Sequence, residues 1–196
     1  MDLSAKLKLT PQEYLLQERK ADTKSEYLNG EIFAMAGASR EHNQISSNVV
    51  RLLGNQLLAS NCSVYANDMK VRIARINKYT YPDVLVSCDP EEFEDEKQDI
   101  LLNPLVIIEI LSDSTEAYDR GNKFFHDQFI NSLVEYILIS QNTFHIEIFH
   151  RQNDNSWLDS AFHHQDDIVV VKSIECTLSL KDIYRRVKCV DWVERV

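Results

Sequence analysis

The chain has 196 residues, of which 44% are hydrophobic and 27% charged, so its length and composition predict one globular domain spanning residues 1–196. Its net charge of −10 excludes a passive, high-affinity coat on nucleic acid, because such proteins are basic. No apolar stretch approaches the roughly 18 residues of a membrane helix, and the first ten residues lack the apolar core of a secretory signal, which predicts a cytoplasmic protein without a membrane partner.

The N-terminal region predicts a helix followed by a hairpin. Thr10 and Glu13 have the spacing of a capping box, and the helix that they begin ends near Lys20. In EYLNGEIFAMAG, the pair Asn29-Gly30 stands between two β-prone runs and predicts a tight hairpin turn.

The next segment predicts a long helix and several short strands. Apolar residues at helical spacing indicate an amphipathic helix over residues 39–59. Three strands are expected, over residues 63–66, 70–74 and 81–87. EEFEDEKQD, residues 91–99, holds six acids and one lysine and is typical of a solvated, mobile loop.

The second half of the chain predicts a central strand over residues 105–111, because this run is apolar on both faces. A helix is expected over residues 118–130 and a short closing helix over residues 180–186. Further strands are predicted over residues 135–140, 144–150, 157–162 and 168–171. Strands and helices in this order predict an α/β or α+β protein, with a mixed central sheet flanked by helices.

One acid, Glu109, interrupts the central strand. An isolated buried charge costs several kcal/mol, so Glu109 needs a cationic partner, a metal ion or a proton. Asp83 follows Pro82 at the start of another strand, where a carboxylate can face a cleft. If the two strands are neighbours, the two acids can share Mg²⁺ or Mn²⁺, and Lys123 of the next helix can act on water or phosphate. This pattern favours metal-assisted phosphodiester hydrolysis.

The segments "YPDVLV", "PLVIIEILSDSTEAYDRGNKFF" and "VEYILI" together resemble the Uma-type restriction endonuclease family, a family of unknown function in the PD-(D/E)xK nuclease superfamily. The resemblance implies a restriction endonuclease-like core, with Asp83 and Glu109 as the ligands of Mg²⁺ or Mn²⁺. The usual lysine of that superfamily lies two residues after the acid, where this chain has Leu111. The resemblance implies that Lys123 takes its place.

Further residues are candidates for supporting roles. Glu31 and His42 match recurring positions of the family, which implies a further catalytic acid at Glu31 and a contact from His42 to water or phosphate. Asp119 lies four residues before Lys123 and is expected to orient it. Four cations are expected to contact DNA phosphates, unless they only protect an exposed strand edge. They are Lys70, Arg72, Arg75 and Lys78.

Structural alternatives remain for the principal residues. Asp83 can cap a local turn, Glu109 can form a buried ion pair, and Lys123 can be an ordinary surface lysine. The four scattered cysteines form no CxxC pair, which argues against a disulfide scaffold or a zinc site and suits a reducing compartment.

The sequence therefore predicts a metal-dependent DNA endonuclease. We expect a homodimer, because cutting two strands commonly needs two sites. The alternative is a catalytically silent, nuclease-like binding or assembly module, which the net acidity and Leu111 favour.

Overall fold

The computed structural model describes residues 8–189, so most of the segment that was searched for a secretory signal lies outside the described residues. The α-helices are α1 (Pro11–Glu18), α2 (Arg40–Gln56), α3 (Glu116–Tyr118), α4 (Phe124–Asp127) and α5 (Leu180–Ile183). A π-helical turn, Asp119–Lys123, joins α3 to α4. The strands are β1 (Ser25–Leu28), β2 (Glu31–Ala34), β3 (Cys62–Ala66), β4 (Lys70–Ile73), β5 (Lys78–Thr80), β6 (Val84–Cys88), β7 (Ile100–Leu101), β8 (Val106–Leu111), β9 (Glu135–Ser140), β10 (Ile146–Arg151), β11 (Trp157–Phe162), β12 (Ile168–Val171) and β13 (Cys176–Ser179).

The larger sheet has six strands in the order β11-β10-β9-β8-β6-β3. β8 runs parallel to β9 and antiparallel to β6, so the sheet is mixed. All six residues of β8 are buried, as its apolar sequence predicts for a central strand. The predicted fold class, a mixed α+β architecture with helices flanking a mixed sheet, is confirmed.

Each face of this sheet is covered by a different layer. α2, α5 and the β12–β13 ribbon pack on one face through residues such as Val49, Leu53 and Leu178. The second sheet, ordered β2-β1-β5-β4-β7, and the α3–α4 segment lie on the other face, where Val71 and Ile73 pack against Ile107. Each fully buried aliphatic side chain of this kind stabilises the fold by roughly 1.5–3 kcal/mol. The α3–α4 segment is thereby held against the face of the sheet that carries Glu109.

The local signals at the N-terminus are confirmed. Thr10 accepts a hydrogen bond from the Glu13 backbone N–H, and the Glu13 carboxylate accepts one from the Thr10 backbone N–H. Asn29 and Gly30 form the hairpin turn between β1 and β2 with φ of 47° and 100°. Glycine suits this turn because it adopts positive φ without a steric penalty.

Some elements differ from the predictions. The helix expected over residues 118–130 begins at Glu116 and ends at Asp127, and the π-helical turn interrupts it. β5 and β13 were not predicted, because strands of three and four residues leave little periodicity to detect. No helix within residues 8–189 is long and apolar enough to cross a membrane.

The acidic loop is largely exposed, as its composition predicts, but ion pairs that the composition does not predict anchor part of it. Asp99 binds Arg19 of the α1 C-terminus at 2.6 Å and Lys70 at 3.0 Å, and Asp95 binds Arg19 at 2.8 Å. Phe93 forms a β-bridge with Leu101. Opposite charges that are distant in the sequence neutralise much of this loop, which composition alone does not reveal.

The cysteines also require a correction. β3 and β6 pair in a register that places Cys62 directly opposite Cys88, and the two are joined by a disulfide. The other two cysteines, Cys176 and Cys189, are free. The spacing of 26 residues gave no local signal for this bond, which depends on strand pairing.

Candidate active site

The register of β6 and β8 brings Asp83 to Glu109. Val84 pairs with Ile108, so the residues one position outward on the two antiparallel strands lie side by side. The Ile110 backbone N–H donates to Asp83 Oδ2 at 2.8 Å, and the Asp83 backbone N–H lies 3.4 Å from Glu109 Oε2. Glu109 is 1% exposed. The two acids therefore meet at one end of the central strand pair.

The π-helical turn places Lys123 beside Glu109. Lys123 Nζ lies 2.9 Å from Glu109 Oε1 and 3.7 Å from Asp119 Oδ1, and its side chain is 6% exposed. It also lies 3.5 Å from the Tyr81 carbonyl oxygen. Although burial opposes its charge, the neighbouring carboxylates raise the pKa of Lys123 well above its ordinary value. The neighbouring carboxylates therefore favour the charged ammonium beside Glu109.

A fourth acid, Glu26 of β1, completes the surroundings of this lysine. Glu26 Oε1 lies 3.8 Å from Lys123 Nζ, and its Oε2 accepts a 3.0 Å hydrogen bond from the Tyr118 hydroxyl. Thr80 donates a short hydrogen bond to Oε1, and Lys78 Nζ lies 3.9 Å from Oε2. The five-stranded sheet thus supplies an acid, Glu26, and a lysine, Lys78, to the group of charged side chains around Lys123 (the cluster).

His42 approaches from the opposite side of the sheet. It lies in the first turn of α2, where Ser39 caps the helix by accepting a hydrogen bond from the His42 backbone N–H. Its Nε2 lies 3.0 Å from Asp83 Oδ2. The helix cap therefore fixes a histidine that contacts Asp83.

The cluster has an excess of negative charge. Its acids outnumber its lysines by five to two, a formal charge of −3. The acids are Glu26, Asp83, Glu109, Asp119 and Asp127, and the lysines are Lys78 and Lys123.

Burial shifts the titration of three of these acids. It raises the pKa of Glu109 well above its ordinary value, raises that of Asp119, and raises the pKa of Asp127 to about 6. Asp127 is fully buried, and neither of its carboxylate oxygens has a hydrogen-bond partner in the described chain. The cluster therefore favours uptake of protons or of a cation.

The ligand chemistry suits a hard divalent cation at Asp83 and Glu109. Mg²⁺ is commonly held by one or two carboxylates, and water and substrate phosphate complete its coordination. No group of three or more His, Cys, Asp or Glu residues within 8–189 is arranged to hold a metal ion by itself. Asp83 and Glu109 are neighbouring residues, and their two carboxylates and the surplus negative charge suit the chemistry of Mg²⁺ or Mn²⁺ but not a site closed by protein ligands alone.

Other candidate residues lie elsewhere. Glu31 is exposed on β2, and no hydrogen bond or ion pair joins it to the cluster among the contacts of the described residues. The acid that reaches the site from this hairpin is Glu26, which the sequence analysis missed. The sequence signal for Glu26 was weak. Glu26 precedes the buried Tyr27 in a four-residue strand, and this polar–apolar alternation also fits an acid that faces solvent.

The cations expected to contact DNA are largely internal. Lys70 and Lys78 are 5% and 1% exposed, and both pair with carboxylates. Arg72 pairs with Glu94, and the exposed Arg75 lies 4.4 Å above the ring of Phe129. The acids that neutralise these cations lie in distant segments, so the basic run MKVRIARINK forms no exposed basic strip.

Comparison with known proteins agrees with this architecture. The chain is 36% identical over 178 residues to the uncharacterized protein slr1290 of Synechocystis sp., which covers 91% of this chain and 92% of that protein. It is 38% identical over 150 residues to the uncharacterized protein sll1609 of the same organism, covering 76% and 85%.

A solved structure shows the same fold. It is the crystal structure of a protein from Anabaena variabilis, described as "a putative nuclease belonging to DUF820", with a TM-score of 0.73 and 22% identity. The match covers 90% of this chain and 97% of that one. The family model Uma2, described as "Putative restriction endonuclease", matches residues 11–181. This match confirms the resemblance seen in the sequence, and the chain belongs to the Uma2 family.

Proposed function

We propose that this protein is a metal-dependent endonuclease that hydrolyses phosphodiester bonds of DNA with Mg²⁺ or Mn²⁺. The observation that carries the proposal is the convergence of Asp83, Glu109 and Lys123, which come from two strands and a helix, at one buried point. Structural lysine–glutamate pairs are common, but this pair lies in a surplus of buried carboxylates, which indicates a site prepared for positive charge.

Each residue has a proposed role. The carboxylates of Asp83 and Glu109 hold the cation, which when bound neutralises phosphate charge and lowers the pKa of water. Lys123 binds a phosphate oxygen and stabilises the negative charge that develops during hydrolysis. His42 orients the carboxylate of Asp83, and Asp119 keeps Lys123 charged and directed inward.

A plasmid-nicking assay with Mn²⁺ tests this function. We expect cleavage by the unmodified protein and a loss of roughly 10²-fold or more in Asp83→Asn, Glu109→Gln and Lys123→Met, because each variant removes a group that acts on the transition state. Asp159→Asn, which changes an exposed acid on β11, is the matched control and should cleave normally. Cleavage that persists in all three site variants would show that a contaminant or another site is responsible.

The alternative is a nuclease-like module that binds or assembles without catalysis. One observation favours it: Lys123 already neutralises Glu109 at 2.9 Å, so the fold satisfies this acid without a metal ion. Absence of cleavage on duplex, single-stranded and branched DNA, with intact Mn²⁺ binding, would support this alternative.

We also propose that the protein acts as a homodimer, since two sites are commonly needed to cut two strands. Light scattering tests the dimer directly. A monomer at assay concentration would remove this part of the proposal and restrict the expected product to nicked DNA.

A further inference from the structure

Lys123 has two kinds of carboxylate neighbour, and they differ in how firmly they are held. Its Nζ is 2.9 Å from Glu109, the proposed cation ligand, and 3.8 Å from Glu26, which lies on β1 of the five-stranded sheet. A cation that takes the Glu109 carboxylate therefore competes with Lys123. Asp119, 3.7 Å away on the same helical segment, then remains beside the ammonium, and Glu26 is the further carboxylate that can receive it from the other sheet.

Hydrogen bonds hold the Glu26 carboxylate in a position to pair with the Lys123 ammonium. Three hydrogen bonds fix its carboxylate: from the Thr80 hydroxyl and the Tyr81 backbone N–H to Oε1, and from the Tyr118 hydroxyl to Oε2. Lys78 Nζ stands 3.1 Å from the same Tyr118 hydroxyl, which adds positive charge behind the acid.

We infer that Glu26 is a positioning residue that receives the Lys123 ammonium when Glu109 turns to the divalent cation. This inference rests on the proposed function, since it concerns the same site. Glu26 does not bind the cation. It acts through Lys123, whose contact with Glu109 it weakens and whose position at the reaction centre it maintains.

A double-mutant cycle on Mn²⁺ affinity, measured by titration calorimetry with the full chain, tests this role. Glu26→Gln should weaken Mn²⁺ binding by roughly 3- to 10-fold, because Lys123 then remains on Glu109. In a Lys123→Met background the same substitution should have no more effect than Glu18→Gln. Glu18 is a matched control, since it is buried beside the same strand and accepts hydrogen bonds from Ser25 and Tyr81.

The outcomes separate the two proposals. Failure of the unmodified protein to bind Mn²⁺ contradicts the proposed function itself. Suppose that the unmodified protein binds Mn²⁺ and that Glu26→Gln weakens this binding equally with and without Lys123. Glu26 is then a ligand or a purely structural residue, and the inference is overturned. No loss of Mn²⁺ affinity in either background also overturns it.

Should Glu26→Gln fail to fold, Tyr118→Phe replaces it, because loss of that hydroxyl loosens Glu26. It should weaken Mn²⁺ binding in the same direction by a smaller factor, and an unchanged affinity would overturn the inference.

Discussion

Burial of Glu109 disfavours its charged carboxylate, and the neighbouring groups offset this cost. The carboxylate is 1% exposed, yet it meets the Lys123 ammonium and the Asp83 backbone N–H. Removing either partner of such a buried pair costs about 3–5 kcal/mol, because the other charge is left without compensation. The structural alternative for Glu109, a buried ion pair, is therefore present with Lys123 as its cation, and a second acid, Asp83, lies beside that pair.

Asp127 gives a prediction on pH. Burial raises its pKa from an ordinary value of 3.8 to about 6, so the native state binds more protons than the unfolded state between these values. Its contribution to stability therefore falls as pH rises from about 4 to 6, and the full penalty of about 3 kcal/mol is present above pH 6. Asp127→Asn removes the buried charge and should be more stable at pH 8, with little advantage at pH 4.

Urea unfolding of both proteins at pH 4, 6 and 8 measures this difference. An advantage for Asp127→Asn that is equal at all three values would mean that the carboxyl does not titrate in the native protein. A mutant that is less stable at pH 8 would mean that the Asp127 carboxylate has a cationic partner that stabilises it.

The three principal residues of the candidate site could be predicted from the sequence, but not all of their neighbours could. Asp83, Glu109 and Lys123 stand in an unusual context, an acid in an apolar strand and a match to a family pattern. Glu26 and Asp127 have no such context, because their burial follows from the packing of β1 and α4 on the central sheet. The run from Lys70 to Lys78 resembles a DNA contact in the sequence because the acids that pair with it lie in distant segments.

At the scale of elements, the π-helical turn Asp119–Lys123 decides where the lysine lies. Such turns add one residue to a helix and commonly occur at functional sites. This one directs Asp119 and Lys123 into the cluster while Gly121 and Asn122 stay exposed. In the proposed function the turn thereby supplies the ammonium, in place of a lysine at the strand position occupied here by Leu111.

Deletion of Asn122 tests the role of this turn. Without the additional residue the segment should become a regular α-helix, which shifts Lys123 relative to Glu109 while the exposed face adapts. We expect a folded protein whose Mn²⁺-dependent cleavage falls by about 10²-fold, as for other small misplacements of reacting groups. Circular dichroism checks the fold, and Asn122→Ala serves as the control. Full activity in the deletion variant would show that the π-helical turn does not place Lys123.

Elements with strong local signals were predictable, and elements that depend on tertiary pairing were not. The α1 capping box, the Asn29-Gly30 hairpin and the apolar β8 each have a signal within a few residues. β5 is a three-residue strand whose position depends on β1 and β4, and the Cys62–Cys88 bond depends on the register of β3 and β6. Hydrophobic periodicity is a local property of the sequence, so it cannot predict contacts between distant segments.

At the scale of the whole molecule, two sheets enclose the candidate site. The six-stranded sheet supplies Asp83 and Glu109, the five-stranded sheet supplies Glu26, and the α3–α4 segment between them supplies Lys123. The placement of the acidic residues also makes the net charge of −10 compatible with the proposed polyanionic substrate. Part of the acidic charge is paired internally with Arg19 and Lys70, and another part forms the cluster that we propose binds a cation.

Anomalous diffraction from crystals soaked in Mn²⁺ shows whether Asp83 and Glu109 together bind a cation. We expect a peak at bonding distance from both carboxylates, with the Lys123 ammonium moved from Glu109 towards Glu26. If Lys123 still holds Glu109 and no peak lies beside these two acids, they do not form a cation site.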